Sequence, residues 1–231
     1  MPRAVPKTRK ATASRAAASG APTRAATMAV PETEGPRSKR ALILTAAIEK
    51  FGKDGYEHTK WATIADQVGI GQTALYHYFE SKAHCLLTIM SLELDRSLQA
   101  FRDVTAEADR ADKALEAAIA AAYDVSPREV LQMRILQSHM DLLATPRPSE
   151  KEEVERLKAR ALVRDIENEW TALIKRGMRA GDFPKRDAHA MATLVLAMVV
   201  SVWRWYRPGG PMTLDQVREL YTGACLRVVN F

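Results

Sequence analysis

Cysteine is scarce in this chain of 231 residues, which has only Cys85 and Cys225. The two lie far apart and fit no C-x-x-C or Cys/His spacing, so neither a zinc motif nor a redox motif is indicated. We expect each to be a small buried apolar side chain in a reducing compartment. The histidines also lack metal-ligand spacing with cysteines or acids, and no metal site is predicted.

Long hydrophobic runs are missing as well. The most apolar stretch is AMATLVLAMVVSVW, at residues 190–203. Fourteen residues are too short to span a bilayer as a helix, so this stretch is predicted to be a buried helix. No apolar segment near the N-terminus has the form of a secretory signal. These absences together predict a cytoplasmic protein that does not enter a membrane.

Motifs of common enzymes are absent too. The sequence contains no P-loop, no G-x-G-x-x-G after a strand, no H-E-x-x-H and no nucleophile elbow. Its carboxylates fall on polar helix faces with basic residues among them. We therefore expect neither an enzyme nor a bound cofactor.

Positive charge is concentrated at the N-terminal end. Residues 1–40 carry nine basic and two acidic side chains, a net charge of +7, whereas the whole chain has +6, so the remainder is close to −1. Residues 1–36 are rich in Ala, Pro, Arg, Ser and Thr without apolar periodicity, which predicts a disordered basic arm. Such an arm suits nucleic acid, and it equally suits a solubilising tail. Translation could begin at Met1 or at Met28, and both stay open.

From Ser38 onward the apolar residues follow the helical period, and no strand-like alternation occurs. The first helix has Leu42, Ala46, Ala47 and Phe51 at helical spacing. A helix over about 81–104 has a predicted buried stripe consisting of Leu86, Leu87, Met90, Leu94, Leu98 and Phe101. About five more helical segments follow, separated by turn signals. The predicted fold class is all-α, with a three-helix unit at 37–83 and a helical bundle at 84–231.

The stretch GIGQTALYHYF, residues 69–79, combines aromatic and small polar residues. Two short helices, over 59–68 with Thr59 as N-cap and over 72–79, meet at a turn that contains Gly69. With the preceding helix they form a helix-turn-helix, whose second helix enters the DNA major groove. Leu75 and Phe79 are four residues apart and can fix this helix to the core, while Thr73, Tyr76 and His77 lie on another face.

The segment at 41–82 closely resembles the DNA-binding domain of the TetR family of transcriptional regulators. The resemblance lies in one register, F…GY…T…IA…VG…LYHYF..K, over roughly a fifth of the chain. It implies a homodimeric repressor whose N-terminal domain binds a palindromic operator and whose C-terminal domain dimerises and holds a small-molecule effector. Activation instead of repression stays open, since the sequence does not give the position of the operator relative to a promoter.

The resemblance also implies DNA-binding roles for individual residues. Gln72, Thr73 and Ala74 match positions that face bases at the start of the recognition helix. Tyr76 and His77 match an aromatic pair that contacts phosphates and sometimes a thymine methyl group, and Thr59 and Lys82 match contacts to backbone phosphates. The chemistry is suitable, because glutamine can pair with adenine through two hydrogen bonds and a tyrosine hydroxyl can donate to phosphate. Gly71, Thr63 and Trp61 depart from the family pattern, so the operator sequence cannot be transferred from relatives.

The C-terminal region resembles the family more weakly, through residues 173–183 and 205–212. WYRPGGPM at 205–212 is similar to the branch that responds to fatty acyl or sterol-derived coenzyme A thioesters, which implies a CoA-linked effector. A ligand cavity needs apolar walls with a few polar anchors. The candidates are Met133, Arg134, Leu136, His139, Met140, Trp170, Ile174, Met198 and Trp203. Plain core packing is the alternative for each of them.

Two late helices, over 187–206 and 213–229, are predicted to form a four-helix interface in a homodimer. The first is apolar nearly all round, which suits burial against its own domain and a partner. A DNA-binding architectural protein without an effector is the alternative function. The net charge of residues 41–231, which is close to −1, argues against it. Sequence-independent binders neutralise many phosphates and need an excess of basic residues to do so.

Overall fold

The structure is a computed structural model that describes residues 35–231. These residues form nine α-helices and one 3-10 helix, with no strand among them, so the all-α prediction is confirmed. The helices are α1 (Pro36–Asp54), α2 (Trp61–Val68), α3 (Gln72–Tyr78), α4 (Lys82–Ala106), α5 (Ala111–Tyr123), α6 (Pro127–Ser138), η1 (Met140–Leu143), α7 (Glu150–Ala180), α8 (Ala188–Trp205) and α9 (Leu214–Asn230). The predicted start at Met1 or Met28 and residues 1–34 of the predicted disordered arm lie outside the described residues. The arm was predicted to extend to residue 36, but α1 already begins at Pro36, so its predicted end is wrong.

Five of the six α-helices of the bundle, all except α5, begin at a side-chain cap. The Ser81 hydroxyl accepts the third backbone N–H of α4, from His84, at 2.9 Å. Ser126 begins α6 in a capping box, in which Glu129 accepts the Ser126 N–H at 2.7 Å. Such caps satisfy backbone donors that the first turn of a helix leaves unpaired. They fix where each long helix begins, and therefore which side chains face inward.

The first three helices enclose a small core of their own. Ile43 and Phe51 from α1, Ile64 from α2, and Leu75 from α3 are all buried. Leu42, which the predicted stripe of α1 includes, is instead 40% exposed, and its neighbour Ile43 faces the core. The other three residues of the predicted stripe, Ala46, Ala47 and Phe51, are buried as predicted, so only its first position is wrong.

The turn between α2 and α3 depends on Gly69. This residue ends α2 with φ of 68°, a left-handed conformation that glycine adopts without a steric penalty. The next N–H, from Ile70, donates to the Ala65 carbonyl at 3.0 Å. The turn is therefore tight enough to set α3 across α2, as the sequence predicts.

Helix α4 is the central element of the bundle and packs against α5, α6 and α7. Its predicted stripe is buried at all six positions, which are Leu86, Leu87, Met90, Leu94, Leu98 and Phe101. The same helix begins directly after α3. It therefore connects the helix-turn-helix to the middle of the bundle without a flexible linker.

Helix α6 packs directly against α1. The Arg128 guanidinium donates to the Thr45 hydroxyl at 2.9 Å. A methyl group on Gly52 would lie 2.9 Å from Leu131 Cδ2, so the two helices approach closely here only because residue 52 has no side chain. The three-helix unit thus has a second attachment to the bundle besides α4.

Helix α8 has an apolar side that the chain itself leaves uncovered. Its 18 residues have a mean hydropathy of 1.4, and 28% of them are buried. The helix is longer than the 14-residue apolar run, so by length and composition alone it is long enough to cross a membrane, contrary to the prediction. Its buried side is part of the core, where the Val199 carbonyl accepts the Tyr123 hydroxyl at 3.0 Å.

Both cysteines are free and buried, as predicted. Cys85 lies in α4 and Cys225 in α9. Burial raises the pKa of the Cys85 thiol and raises that of Cys225 to about 11. Both therefore stay protonated near neutral pH, where they act as small apolar side chains.

Candidate DNA interface and ligand cavity

Helix α3 has one fully buried side and one exposed side. Leu75 is completely buried beneath the helix, as is Phe79 directly after it. The Phe79 ring lies 4.7 Å from the Arg40 guanidinium and has edge contacts with Trp61 and His84, at centroid distances of 6.5 Å and 5.5 Å. These contacts fix the end of α3 against α1, α2 and α4.

The opposite side of α3 is available to a partner. Gln72, Thr73 and His77 are exposed, Tyr76 is 48% exposed, and Ala74 is half-buried between the two sides. Their side chains form a short polar and aromatic surface on a rigid base. The structure therefore brings together five of the seven residues predicted to contact DNA.

Thr59 does not occupy the predicted position. Helix α2 begins at Trp61 with Lys60 as its N-cap, so the expectation of an N-cap at Thr59 is wrong. Thr59 is 4% exposed, and its hydroxyl donates to the Gly55 carbonyl at 2.8 Å. It closes the loop between α1 and α2, whereas the exposed Lys60 stands at the start of α2.

Lys82 is also engaged within the protein. Its Nζ donates to the carbonyls of Tyr56, Thr59 and Glu57, at 2.6, 3.2 and 3.3 Å, and lies 4.3 Å from the centroid of the Tyr56 ring. Burial, more than the nearby charges, raises the pKa of Tyr56 to about 12, so the ring under the ammonium is a neutral phenol. The three ammonium donors hold the α1–α2 loop on the first turn of α4.

A cavity of about 320 Å³ lies inside the bundle, between α4, α5, α6, α7 and α8. Five of the nine predicted ligand-contacting residues line it, namely Met133, Leu136, Met140, Trp170 and Trp203. The rest of the wall is mostly apolar, with contributions such as Leu94, Phe101 and Val199. A site of this volume and composition can enclose most of a small apolar molecule.

The other four predicted residues lie elsewhere. Ile174 is fully buried in the core, and Met198 is half-buried outside the cavity wall. Arg134 is half-buried, and burial lowers the pKa of its guanidinium. His139 donates from Nδ1 to the Ile135 carbonyl at 2.8 Å, and its ring meets Tyr56 at a centroid distance of 5.3 Å. Thus His139 touches the α1–α2 loop instead of the cavity.

The cavity wall also contains polar residues that the sequence did not indicate. They are Arg96, Ser97, Gln137, Glu167 and Thr193. Arg96 Nη2 donates to Glu93 Oε1 at 2.6 Å, and Arg96 Nε lies 3.5 Å from Glu129 Oε1. Glu93 is 0% exposed, and this burial raises its pKa against the opposing hydrogen bond from Arg96. An acid and a base three residues apart in the apolar stripe of α4 were the available signal.

A second, more open groove adjoins the cavity. It shares Met140, Val163 and Glu167 with the cavity wall and adds Arg160 and Arg164 from α7. Both arginines are exposed. Across residues 35–231, no group of three or more His, Cys, Asp or Glu side chains is placed to hold a metal ion.

Comparison with known proteins gives two family matches that together span most of residues 35–231. Residues 43–89 match the family described as bacterial regulatory proteins, tetR family. Residues 108–229 match the family described as Tetracyclin repressor-like, C-terminal domain. The second match alone covers more than half of the chain.

Individual relatives match over nearly the same span. The HTH-type transcriptional repressor KstR2 of Mycobacterium tuberculosis (strain ATCC 25618 / H37Rv) is 27% identical over 191 residues, which are 82% of this chain and 92% of the relative. Among solved structures, the TetR family transcriptional regulator PfmR from Thermus thermophilus superposes with a TM-score of 0.70 at 29% identity, covering 80% of this chain and 97% of PfmR. AibR in complex with isovaleryl coenzyme A and operator DNA shares the fold, with a TM-score of 0.66 at 19% identity and coverage of 80% and 97%.

Proposed function

This chain belongs to the TetR family of transcriptional regulators, and we propose that it is a cytoplasmic repressor. It binds a palindromic operator as a homodimer and leaves the operator when a small hydrophobic or coenzyme A-linked effector fills the cavity. The observation that carries the proposal is the two-sided α3, in which Leu75 is buried while Gln72, Thr73 and His77 are exposed. A seven-residue helix fixed on one side can present the other to the major groove.

The roles in DNA recognition follow from the exposed side of α3. Gln72, Thr73 and Ala74, in its first turn, read base edges, and Tyr76 and His77 contact phosphate or a thymine methyl group. The first N–H groups of α2 have no side-chain cap, so they can receive a backbone phosphate.

We assign the charged partner of that phosphate to the exposed Lys60, at the N-cap of α2, instead of Thr59 or Lys82. The Thr59 hydroxyl and the Lys82 ammonium are both occupied by carbonyls within the protein.

The uncovered sides of α8 and α9 form the proposed dimer interface. Leu194 and Trp205 on α8 are exposed, as are Leu220 on α9 and Phe231 at its C-cap. Several large apolar side chains exposed together on two neighbouring helices are typical of a protein interface. A second copy covering it can set two α3 helices about one DNA turn apart, about 34–36 Å, or somewhat further.

The effector site is the cavity and its adjoining groove. Apolar walls suit an acyl or polycyclic body, and Arg160 and Arg164 suit the phosphates of a coenzyme A portion. Support comes from the relatives, since KstR2 is a repressor whose solved structure is described as that of a ketosteroid regulator, and AibR was solved with isovaleryl coenzyme A and operator DNA.

The effector acts by shifting a conformational equilibrium. It must prefer the arrangement in which the two α3 helices are spaced wrongly for DNA. Helix α4 runs from the cavity, at Arg96 and Phe101, to Lys82 beside the helix-turn-helix. Helix α6 gives a second route, from Met133 to the contact of Leu131 with α1. A displacement of either helix by a bound effector therefore reaches α1–α3.

Selection of genomic DNA fragments by the purified chain tests the proposal. Wild-type protein is expected to enrich fragments that share one palindrome, and His77→Ala and Tyr76→Phe are expected to lose this enrichment. The matched control is His189→Ala, an exposed histidine on α8 far along the chain from α3. Fragments without a shared motif, bound equally by all four proteins, would refute a specific regulator and favour an architectural DNA-binding protein.

A further inference from the structure

Two charged side chains are buried near the start of α7, and neither of them lines the cavity. Arg156 is 3% exposed and Glu152 is 7% exposed. A charged group that is removed from water needs an opposite charge or hydrogen bonds to compensate it. The partners of these two residues form one connected network, which begins at η1 and ends at the first turn of α4.

The network begins at the carbonyl of Leu143, the last residue of η1. Arg156 Nη1 donates to this carbonyl at 2.8 Å, and Arg156 Nη2 and Nε donate to the two carboxylate oxygens of Glu153 at 2.6 and 2.8 Å. The hydrogen bonds from Arg156, followed by one from the N–H of Arg147, lower the pKa of Glu153 to about 2, so this carboxylate is ionised near neutral pH. Leu143 borders the open groove, and Met140 at the start of η1 borders both the groove and the cavity. One end of the network therefore lies at the wall of the candidate ligand site.

The other end of the network is the cap of α4. The Arg147 N–H donates to Glu153 Oε2 at 2.8 Å, and Arg147 Nε donates to Glu152 Oε2 at 2.8 Å. Glu152 Oε1 accepts the Ser81 hydroxyl at 2.6 Å, and the same hydroxyl accepts the His84 N–H in the first turn of α4. A continuous set of hydrogen bonds therefore connects the end of η1 to the helix that follows the helix-turn-helix.

The two ends of this network cannot move independently without loss of buried hydrogen bonds. If η1 moved away from α7, Arg156 Nη1 would be left without an acceptor. If the first turn of α4 moved away, the buried Glu152 would lose the donor that Ser81 provides. An unpaired buried polar group is unfavourable, and more so when it is charged. A displacement of one end is therefore expected to loosen or displace the other.

We propose that this network couples the groove to the DNA-binding helices, with Arg156 and Glu152 as positioning residues. A ligand that displaces η1 changes how Ser81 holds the first turn of α4. Operator binding at α3 stabilises η1 in return, because coupling between two sites is reciprocal. This route is separate from those through the body of α4 and through α6. It rests on the proposed function only for its regulatory purpose, since the coupling itself is measurable in the free chain.

Hydrogen exchange in the full chain, without DNA or ligand, tests the coupling. Leu143→Ala loosens η1, and we expect it to speed exchange of the backbone amides of His84 and Cys85, which donate to the hydroxyl and the carbonyl of Ser81, by about fivefold or more. Leu143→Val is measured alongside as a smaller perturbation of the same kind. Leu173→Ala is the matched control and should leave both amides unchanged, because Leu173 is a buried leucine of α7 outside the cavity and the groove.

A variant in which the network is interrupted locates the route. Arg147→Met combined with Glu152→Gln removes both charges, so no buried charge loses its partner, and the glutamine oxygen can accept the hydroxyl at the α4 cap. In this background, Leu143→Ala is expected to leave the two α4 amides unchanged. Glu150→Gln combined with Lys151→Met is the control, because it removes one exposed acid and one exposed base from the same turn of α7, and the effect of Leu143→Ala should persist there. No effect of Leu143→Ala on these amides, or the same effect with the network interrupted, would overturn the proposal.

Operator binding separates this inference from the proposed function. In wild-type protein bound to a fragment from the genomic selection, we expect slower exchange at the amides of Leu142 and Ala144, which donate to carbonyls within the η1 turn. The variant with Arg147→Met and Glu152→Gln should show no such change. If no fragment is enriched, the proposed function fails, whereas the measurements in the free chain decide the coupling. If an operator binds and the η1 amides do not respond, or respond equally in both proteins, only this inference fails.

Discussion

Lys82→Met distinguishes two possible roles of Lys82, which are to hold the α1–α2 loop and to contact a DNA phosphate. The substitution keeps the apolar stem and removes the ammonium that holds the α1–α2 loop through the carbonyls of Tyr56, Thr59 and Glu57. If this clamp is the main role of Lys82, the variant loses stability, and its weaker DNA binding follows from a displaced α2. If Lys82 is a phosphate contact, as the resemblance implies, the variant loses a charge interaction with DNA and keeps its stability.

The size of the effect follows from the geometry. A hydrogen bond to a charged group contributes about 1.5–3 kcal/mol and an exposed cation–π contact about 0.5–1 kcal/mol. One ammonium shared by three carbonyls, two of them at 3.2 and 3.3 Å and partly in contact with water, does not give three full contributions. We expect a loss of about 2 kcal/mol, which lowers Tm by about 4–8 °C in a chain of this size.

Thermal unfolding and the salt dependence of operator binding together decide the question. Lys60→Met is the control, because this exposed lysine at the start of α2 can contact phosphate without holding the loop. We expect Lys60→Met to keep Tm and to reduce the slope of log K against log salt by about 1. Lys82→Met should lower Tm and keep the slope. A Lys82→Met protein with wild-type Tm and a slope reduced as in Lys60→Met would refute the clamp.

Three further predictions concern the same region. Gly69→Ala forces a side chain into the left-handed conformation and should lower the free energy of unfolding, measured in urea, by about 1 kcal/mol. Gly71→Ala is the control and should leave it unchanged, because Gly71 has φ of −66° and open space around it. Equal effects of the two substitutions would contradict this reasoning. Phe79→Ala should cost about 3–5 kcal/mol in the same assay, and a loss below about 1 kcal/mol would show that the ring is not in the core. Burial lowers the pKa of His84, whose Nδ1 accepts the Glu80 N–H. As pH falls below about 6.5, the unfolded chain therefore takes up a proton at His84 before the folded chain does, and the free energy of unfolding decreases. His84→Asn should reduce this dependence of Tm on pH, and an unchanged dependence would assign it to other groups.

The sequence predicted the helix-turn-helix because local rules determine it. The helical periodicity, the turn at Gly69 and the spacing of four residues between Leu75 and Phe79 predict that these two side chains face inward and that Tyr76 faces outward, as the structure shows. The sequence did not show that Thr59 and Lys82 donate hydrogen bonds to carbonyls of the α1–α2 loop, because helical periodicity does not describe the conformation of a loop.

The cavity was predictable only in part. Helical spacing shows which residues share a face, and Met133 and Trp203, which were selected in this way, line the cavity. It does not show whether that face meets a cavity, the core or another helix, which is why the predicted set also contains Ile174 and His139, which lie outside the cavity wall. Arg96 was missed because its importance lies in the contact with Glu93 and in the space beside it, and only the packed bundle shows both.

The contact between α1 and α6 limits how far regulators of this kind can be recombined. Gly52 leaves room for Leu131, and Thr45 receives a hydrogen bond from Arg128, so the surface under the helix-turn-helix is matched to one particular α6. A chimera that takes α1–α3 from another regulator must take the facing residues of α6 as well, or Leu131 must move. New operator preferences are therefore reached more directly by replacing the exposed side chains of α3 in place than by exchanging the domain.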